Sequence, residues 1–357
     1  MTEKSSRFPS AGASKSRQYA RKILRFLAAH KESLSPLLVL THDYPDPDTL
    51  ASAFALSYLA ENSYGISCRI AYGGIIGRTE NKGMVNILKI PAHKIRPGDF
   101  KRYSNTALLD TQPSFENNSF PKKKKAAMVI DQHPYVERPN ADLVIIDPDC
   151  GATSVLMAQA LLAARVNIPD RVATALAYGI LSDTLNLYRA NRPDIIQTYL
   201  QLLPHCDMRA LARIQNPARS RRFFHSLSKG IQSALVRRRL IATHLGAVEN
   251  PDLVAQVADF LLSYKGIQWA FCTGRYKAKL HISLRINNPN AEAGEILRDI
   301  VVNKGDAGGH NGIAGGSVWV GEKASEETWR ETELQLAQGL MKRLRIPIKG
   351  DLYYPFR

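Results

Sequence analysis

The sequence predicts an α/β protein: an N-terminal open, mostly parallel sheet with flanking helices, a helical connector, and a smaller C-terminal α/β domain. Short continuous apolar runs recur through the N-terminal half, each bounded by polar turns, as in strands buried on both faces of a sheet. Helical stretches separate these runs, which is the alternation that parallel neighbours and their crossovers require. The chain has 357 residues, more than one hydrophobic core usually spans, so two domains are expected.

Residues 1–18 are polar and rich in Ser, Lys and Arg, and read as a flexible tail. A helix is expected over 19–30, where Ile23, Leu24, Phe26 and Leu27 recur at helical spacing. The strand-like runs come next, at 37–40, 68–72, 106–109, 127–130 and 143–146. Between them, 49–60 and 153–164 read as helices, each opening on Thr. Residues 19–204 therefore make the first domain. From 205 to 235 the chain turns helical, basic and proline-interrupted, and reads as a connector. Beyond it LIATHLGAV, WAFCTGRY and KLHISLRIN have the pattern of strands, and a glycine-rich segment lies near 305–316. A second domain is expected over 236–345, with a tail at 346–357.

A hydrophobic content of 45% supplies material for two cores and excludes a disordered chain. Lys and Arg number 48 against 32 Asp and Glu, a net charge of +16 that favours anionic partners such as phosphates or nucleic acid. Charge alone gives equal weight to plain solubility. Cys68, Cys150, Cys206 and Cys272 are scattered singly, which excludes a CxxC knuckle and points to free thiols in a reducing compartment. The N-terminus lacks the apolar core of a secretory signal. No apolar run approaches the ~20 residues of a membrane span, so a cytoplasmic protein without a membrane partner is expected.

Chemistry concentrates in THDYPDPDTLASA, residues 41–53. An apolar strand stops there, and His42, Asp46 and Asp48 come before a helix begins. Carboxyl ends of strands are where ligands sit in open α/β sheets. One imidazole with two carboxylates suits Mn²⁺ or Mg²⁺ better than a structural zinc. The competing reading is helix capping, which explains one Asp but not two and a His. Asp110, Asp131 and Asp147 also end strand-like runs, and Asp183 ends an apolar helical stretch. Singly, each is an ordinary turn residue. Together at one sheet edge they repel one another unless cations neutralise them.

The run from His42 through Asp46 and Asp48, then Asp110, then Asp131-Gln132-His133-Pro134, then Asp183, resembles the N-terminal motifs of the DHH phosphoesterases in order and spacing. The segment from Gly308-Gly309-His310 to Ala314-Gly315-Gly316 resembles the signature of the DHH-associated C-terminal domain, and SLR at 283–285 a basic motif of that domain. The likeness covers roughly residues 20–345, and size and layout look most like the oligoribonuclease and 3′-phosphoadenosine 5′-phosphate phosphatase branch. It implies a first metal held by His42, Asp46 and Asp110, with Asp110 bridging to a second held by Asp48, Asp110 and Asp183. Mn²⁺ is the implied ion, with Mg²⁺ the alternative. His133 is implied to contact the scissile phosphate, with Asp131 supporting it. Arg285, His310 and the backbone of Gly308 and Gly309 are implied to grip the far end of the substrate. One position departs from the pattern: Gln132 stands where the family has a metal-binding His, an amide being the weaker donor to a transition metal.

The function this implies is hydrolysis of short oligonucleotides or small nucleotide phosphoesters by metal-activated water, with Arg189 beside His133 as a further candidate for stabilising phosphoryl charge. Expected partners are that substrate and a second copy of the chain in a homodimer. A cyclic-dinucleotide phosphodiesterase or a polyphosphatase uses the same residues. Gln132 also raises a non-catalytic nucleotide sensor, and the basic connector a nucleic-acid-binding module.

Overall fold

The computed structural model describes residues 11–135, 137–288, 291–302, 305–310, 312–348 and 352–357. The chain divides into two compact units, Met1–Pro217 and Ala218–Arg357.

The first unit begins with α1 (Ala11–Leu34), β1 (Leu37–Thr41), α2 (Pro47–Tyr64), β2 (Cys68–Tyr72), α3 (Thr79–Leu88), β3 (Ala92–Lys94) and α4 (Asp99–Arg102). It continues with β4 (Asn105–Leu109), β5 (Ala126–Asp131), β6 (Ala141–Ile146), α5 (Thr153–Ala164), α6 (Asp170–Asp183), α7 (Pro193–Leu202) and α8 (Met208–Gln215). Its six strands lie in the order β3-β2-β1-β4-β5-β6, every pairing parallel. Strand alternation sends Leu37 and Val39 to one face and Leu38 and Leu40 to the other. The first face carries α1, α2, α5 and α6 in a large core. The second is covered more thinly, by Tyr103 and Phe120 from short connections. Helix α2 is buried almost all round, from Pro47 to Ala60, because it packs on both α5 and α6. The strand order reverses between β1 and β4: one successor lies on each side of β1. In open α/β sheets ligands bind at such a switch point, here the carboxyl ends of these two strands.

The second unit comprises α9 (Arg221–Ser233), β7 (Leu235–Arg237), β8 (Leu240–Ala247), α10 (Asp252–Leu262), β9 (Trp269–Tyr276) and β10 (Lys279–Ile286). It ends with α11 (Ala293–Val301), β11 (Gly305–His310), β12 (Ile313–Trp319) and α12 (Glu326–Arg343). The sheet order is β11-β12-β10-β9-β8-β7, mostly antiparallel, with β8 and β9 parallel.

The structure differs from the sequence reading at several boundaries. Helix α1 starts at Ala11, so 11–18 is helical where a tail was expected. Ala11, Ala13, Lys15, Arg17 and Gln18 favour a helix, and Lys15 is anchored to Asp147 at 3.1 Å; residues 1–10 lie outside the described part. The expected connector is split: α8 belongs to the first unit, whereas α9 buries Phe223 and Leu227 in a core of the second. The expected C-terminal tail is also tied down, with Ile346 in a core and Tyr353 exchanging backbone hydrogen bonds with Val236 at 2.8 and 3.1 Å. The glycine-rich segment forms the antiparallel pair β11–β12. Cys68, Cys150, Cys206 and Cys272 are free. Among the described residues, no helix is long and apolar enough to cross a membrane.

Candidate metal and phosphate site

Five elements, β1, α2, β4, β5 and α6, deliver the site. His42 follows β1, Asp110 follows β4, Asp131 is the last residue of β5, and Asp183 is the last residue of α6. Asp46 caps α2, its Oδ1 accepting from Thr49 N at 3.0 Å. The Thr49 hydroxyl donates to the Leu109 carbonyl at 3.0 Å, fastening the start of α2 to the end of β4. Asp110 adopts φ = 58°, a left-handed conformation that costs a β-carbon-bearing residue about 1–2 kcal/mol and is tolerated where its surroundings enforce it.

The His42 ring is oriented by its Nδ1, which donates to the Asp43 carbonyl at 2.8 Å. This leaves Nε2 facing Asp46 Oδ1 and Asp110 Oδ2, both at 3.7 Å. Such separations are too long for hydrogen bonds and suit atoms that share a cation. His42, Asp46 and Asp110 can all place one ligand atom within 4.8 Å of the others. One imidazole oriented by a carbonyl, with two carboxylates, fits a hard divalent cation. Burial opposes charge on His42, but the neighbouring Asp46 carboxylate outweighs it and raises the imidazole to about 9.

A second grouping joins Asp110, Asp131 and His133. Asp131 Oδ1 accepts from both the backbone N–H and Nδ1 of His133, at 3.1 and 2.8 Å, so its carboxylate sets the ring's orientation and tautomer. Burial lowers His133's basicity, but the hydrogen bond and charge of Asp131 raise it on balance. Gln112 completes this arm. Its fully buried amide donates to Asp131 Oδ2 at 2.7 Å and to the His133 carbonyl at 2.9 Å. No periodicity marks Gln112 in the sequence; only its place two residues after Asp110 could have flagged it.

Asp48 is wholly buried and turned toward α5. Its two oxygens accept from the backbone N–H groups of Thr153 and Ser154, each at 2.7 Å. Helix α5 has Ala152 at its N-cap position and no cap of its own, so Asp48 supplies one from α2. The Thr153 hydroxyl donates to Asp110 Oδ1 at 2.8 Å. Gln132 Nε2 lies 2.7 Å from Asp183 Oδ2, 3.3 Å from Asp48 Oδ2 and 3.4 Å from Asp110 Oδ1. Burial, then mutual repulsion among the carboxylates, pushes Asp48, Asp110 and Asp183 well above the ordinary carboxyl range.

The remaining candidates have contacts of their own. Asp147 is buried but committed to Arg192 at 2.8 Å and Lys15 at 3.1 Å. Arg189 is half-buried, with its backbone N–H on the Thr184 carbonyl at 2.9 Å. In the second unit, Arg285 is buried in β10, paired with Asp259 and donating to the carbonyls of Leu284 and Ala314 at 3.0 Å. Gly308 and Gly309 are exposed in β11. A β-carbon on Gly309, which has φ = 153°, would meet the Ile313 carbonyl at 2.2 Å, so this position needs glycine to pair with β12. His310 ends β11 opposite Ile313, and its side chain lies outside the described residues.

A parallel sheet whose switch point gathers His, Asp and amide side chains defines an open α/β domain with a candidate divalent-metal site. Residues 36–180 match the model of the DHH family, N-terminal domain, and the chain carries that domain. It is 33% identical over 303 residues to an uncharacterized protein of Methanocaldococcus jannaschii, covering 84% of this chain and 62% of that protein. It is 23% identical over 157 residues to a probable manganese-dependent inorganic pyrophosphatase of Streptococcus pyogenes, covering 43% of this chain and 50% of the pyrophosphatase. The chain thus spans less than two thirds of either relative. An exopolyphosphatase-related protein from Bacteroides fragilis shares the fold with a TM-score of 0.65 at 15% identity, over 92% of this chain and 98% of that one.

Proposed function

We propose that this protein is a divalent-metal-dependent phosphoesterase, with Mn²⁺ as its ion, that hydrolyses short oligonucleotides or small nucleotide phosphoesters. The observation that carries this reading is the convergence of His42, Asp46 and Asp110 within 4.8 Å at the switch point. A cation there supplies Lewis acidity toward a phosphoryl oxygen and the attacking water. The chain's own residues do the rest. Asp131 fixes the His133 ring, whose half-exposed edge is free to donate to a phosphoryl oxygen as negative charge builds there. Gln112 keeps Asp131 from turning away. In the second unit, the exposed β11 backbone at Gly308 and Gly309, with His310, is the proposed contact for a further substrate phosphate, while Arg285 holds β12 in register.

Nucleotides are favoured over inorganic phosphates by three tyrosines on the loops that bear the metal and phosphate ligands. Tyr44, Tyr135 and Tyr188 are 67%, 48% and 84% exposed, so each ring is open to a stacking partner. Each lies within five residues of His42, His133 or Asp183. Aromatic faces beside a phosphate site suit nucleobases, whereas a polyphosphate offers no ring to stack. The pyrophosphatase relative supports polyphosphate hydrolysis as the alternative.

A panel of di- to pentanucleotides, a cyclic dinucleotide, 3′-phosphoadenosine 5′-phosphate and polyphosphate, each with Mn²⁺ or Mg²⁺, tests the reading. Turnover of the nucleotides with Mn²⁺ is expected. Binding of nucleotide without turnover of any member contradicts catalysis and leaves a sensor.

A further inference from the structure

We infer that Gln132 makes this a one-ion centre, its side-chain amide taking the place among Asp48, Asp110 and Asp183 that a second cation would need. The inference rests on the phosphoesterase reading above and concerns how many ions that site holds. Gln132 Nε2 sits inside the carboxylate trio, at 2.7 Å from Asp183, 3.3 Å from Asp48 and 3.4 Å from Asp110. A primary amide nitrogen carries two hydrogens and no available lone pair, so it serves carboxylates as a donor and a cation not at all. An imidazole at this position would present a lone pair instead.

The other members of the trio are satisfied in the same way, by neutral donors. Both Asp48 oxygens accept backbone N–H groups at 2.7 Å, and Asp110 Oδ1 accepts the Thr153 hydroxyl at 2.8 Å. Asp48 Oδ2 divides its acceptor sites between the Thr153 N–H and the Gln132 amide, so an ion reaches it only by displacing that amide. Among the described residues, two sets of side chains reach metal-binding separation, and neither contains Asp48 or Asp183; the second of them, Asp110, Asp131 and His133, is closed by the hydrogen bond of His133 Nδ1 to Asp131 Oδ1 at 2.8 Å. His42, Asp46 and Asp110 are drawn together for an ion, while Asp48 and Asp183 are drawn to an amide. Turning the amide over would aim its oxygen at three carboxylates, an arrangement that only a cation could hold. Ion stoichiometry therefore separates the two orientations.

The test uses the full chain, stripped of metal, titrated with Mn²⁺ and followed by calorimetry and electron paramagnetic resonance, with and without AMP. Expected for the wild type is one tight Mn²⁺ per chain and the hyperfine pattern of an isolated ion in both conditions. Gln132→His, and independently Gln132→Glu, are expected to take a second ion and to show exchange coupling between the two. Two tight ions with coupling in the wild type, in either condition, overturn the inference. So does a single ion in every folded variant, because the amide would not then be what excludes the second. If neither variant folds, the wild-type stoichiometry decides alone. Failure of the phosphoesterase reading is distinct: it appears as a wild type that binds its ion and hydrolyses nothing in the substrate panel.

Discussion

Asp48 in α2 accepts the backbone N–H of Thr153 at 2.7 Å, so a buried carboxylate fixes the start of a helix 105 residues further along the chain. The same carboxylate accepts from Ser154, and Gly179 makes the approach possible: a β-carbon there would stand 2.3 Å from Ser154 Oγ and 3.2 Å from Asp48 Cα. Asp48→Ala should therefore cost about 1–3 kcal/mol even without metal, because two buried donors lose their acceptor. Gly179→Ala should cost a similar amount by overpacking, about 1–3 kcal/mol. Calorimetric unfolding in chelator checks both. An unchanged midpoint for Asp48→Ala would mean that this carboxylate holds nothing but a ligand.

The metal-free protein should lose stability as pH rises. Asp48, Asp110 and Asp183 have folded-state values above their unfolded ones, so their contribution is full below about pH 4 and is lost as pH climbs through the raised values. His42, raised to about 9, acts in the same direction: its contribution is complete below about 6.5 and is lost as pH rises through about 9. Melting temperatures in chelator at mildly acidic, neutral and alkaline pH should fall in that order. Saturating Mn²⁺ should flatten or reverse the slope, since deprotonated ligands bind it best. A midpoint that rises with pH in chelator contradicts these assignments.

Arg192 tests the division between structure and chemistry. It joins Asp147 at 2.8 Å and Asp194 at 2.7 Å, and Asp147 is fully buried. Arg192→Met should destabilise the chain by about 3–5 kcal/mol, by stranding a buried charge that Lys15 compensates only in part. Mn²⁺ affinity of the folded variant should stay within twofold of the wild type. A large loss of affinity would place Asp147 in the metal site.

Tyr44→Ala and Tyr188→Ala separate nucleotide from inorganic substrates. Loss of one stacked base is worth roughly 1–3 kcal/mol, so KM for a dinucleotide should rise about tenfold or more while KM for polyphosphate stays unchanged. Equal effects on both substrates would remove the tyrosines from base recognition.

Much of the first unit was legible in the sequence because buried parallel strands leave continuous apolar runs: Leu37–Thr41 and Ala126–Asp131 are entirely buried. His42, Asp46 and Asp110 were legible because the carboxyl end of a strand in such a sheet hands the chain straight to the ligand crevice. The use each carboxylate is put to could not be read. Asp147 and Asp110 both come directly after a strand, yet one meets Arg192 and the other His42, partners far apart in the chain. Gln112 was missed for the same reason: a buried amide has no periodicity and acquires its purpose only when β5 is laid beside β4. The helical start at Ala11 was hidden because Lys15 and its neighbours look solvated until Asp147 is in place.

The most direct measurement is release of mononucleotide from a dinucleotide by the wild type and Asp110→Asn, each with Mn²⁺ and with chelator. Asn tolerates the left-handed backbone at this position and keeps an acceptor for Thr153, so the variant should fold. Turnover is expected for the wild type with Mn²⁺ alone, with a loss of at least about a hundredfold in the variant, or ~2.7 kcal/mol. Turnover that survives chelation, or that persists in Asp110→Asn, would contradict a metal-dependent centre built on that carboxylate.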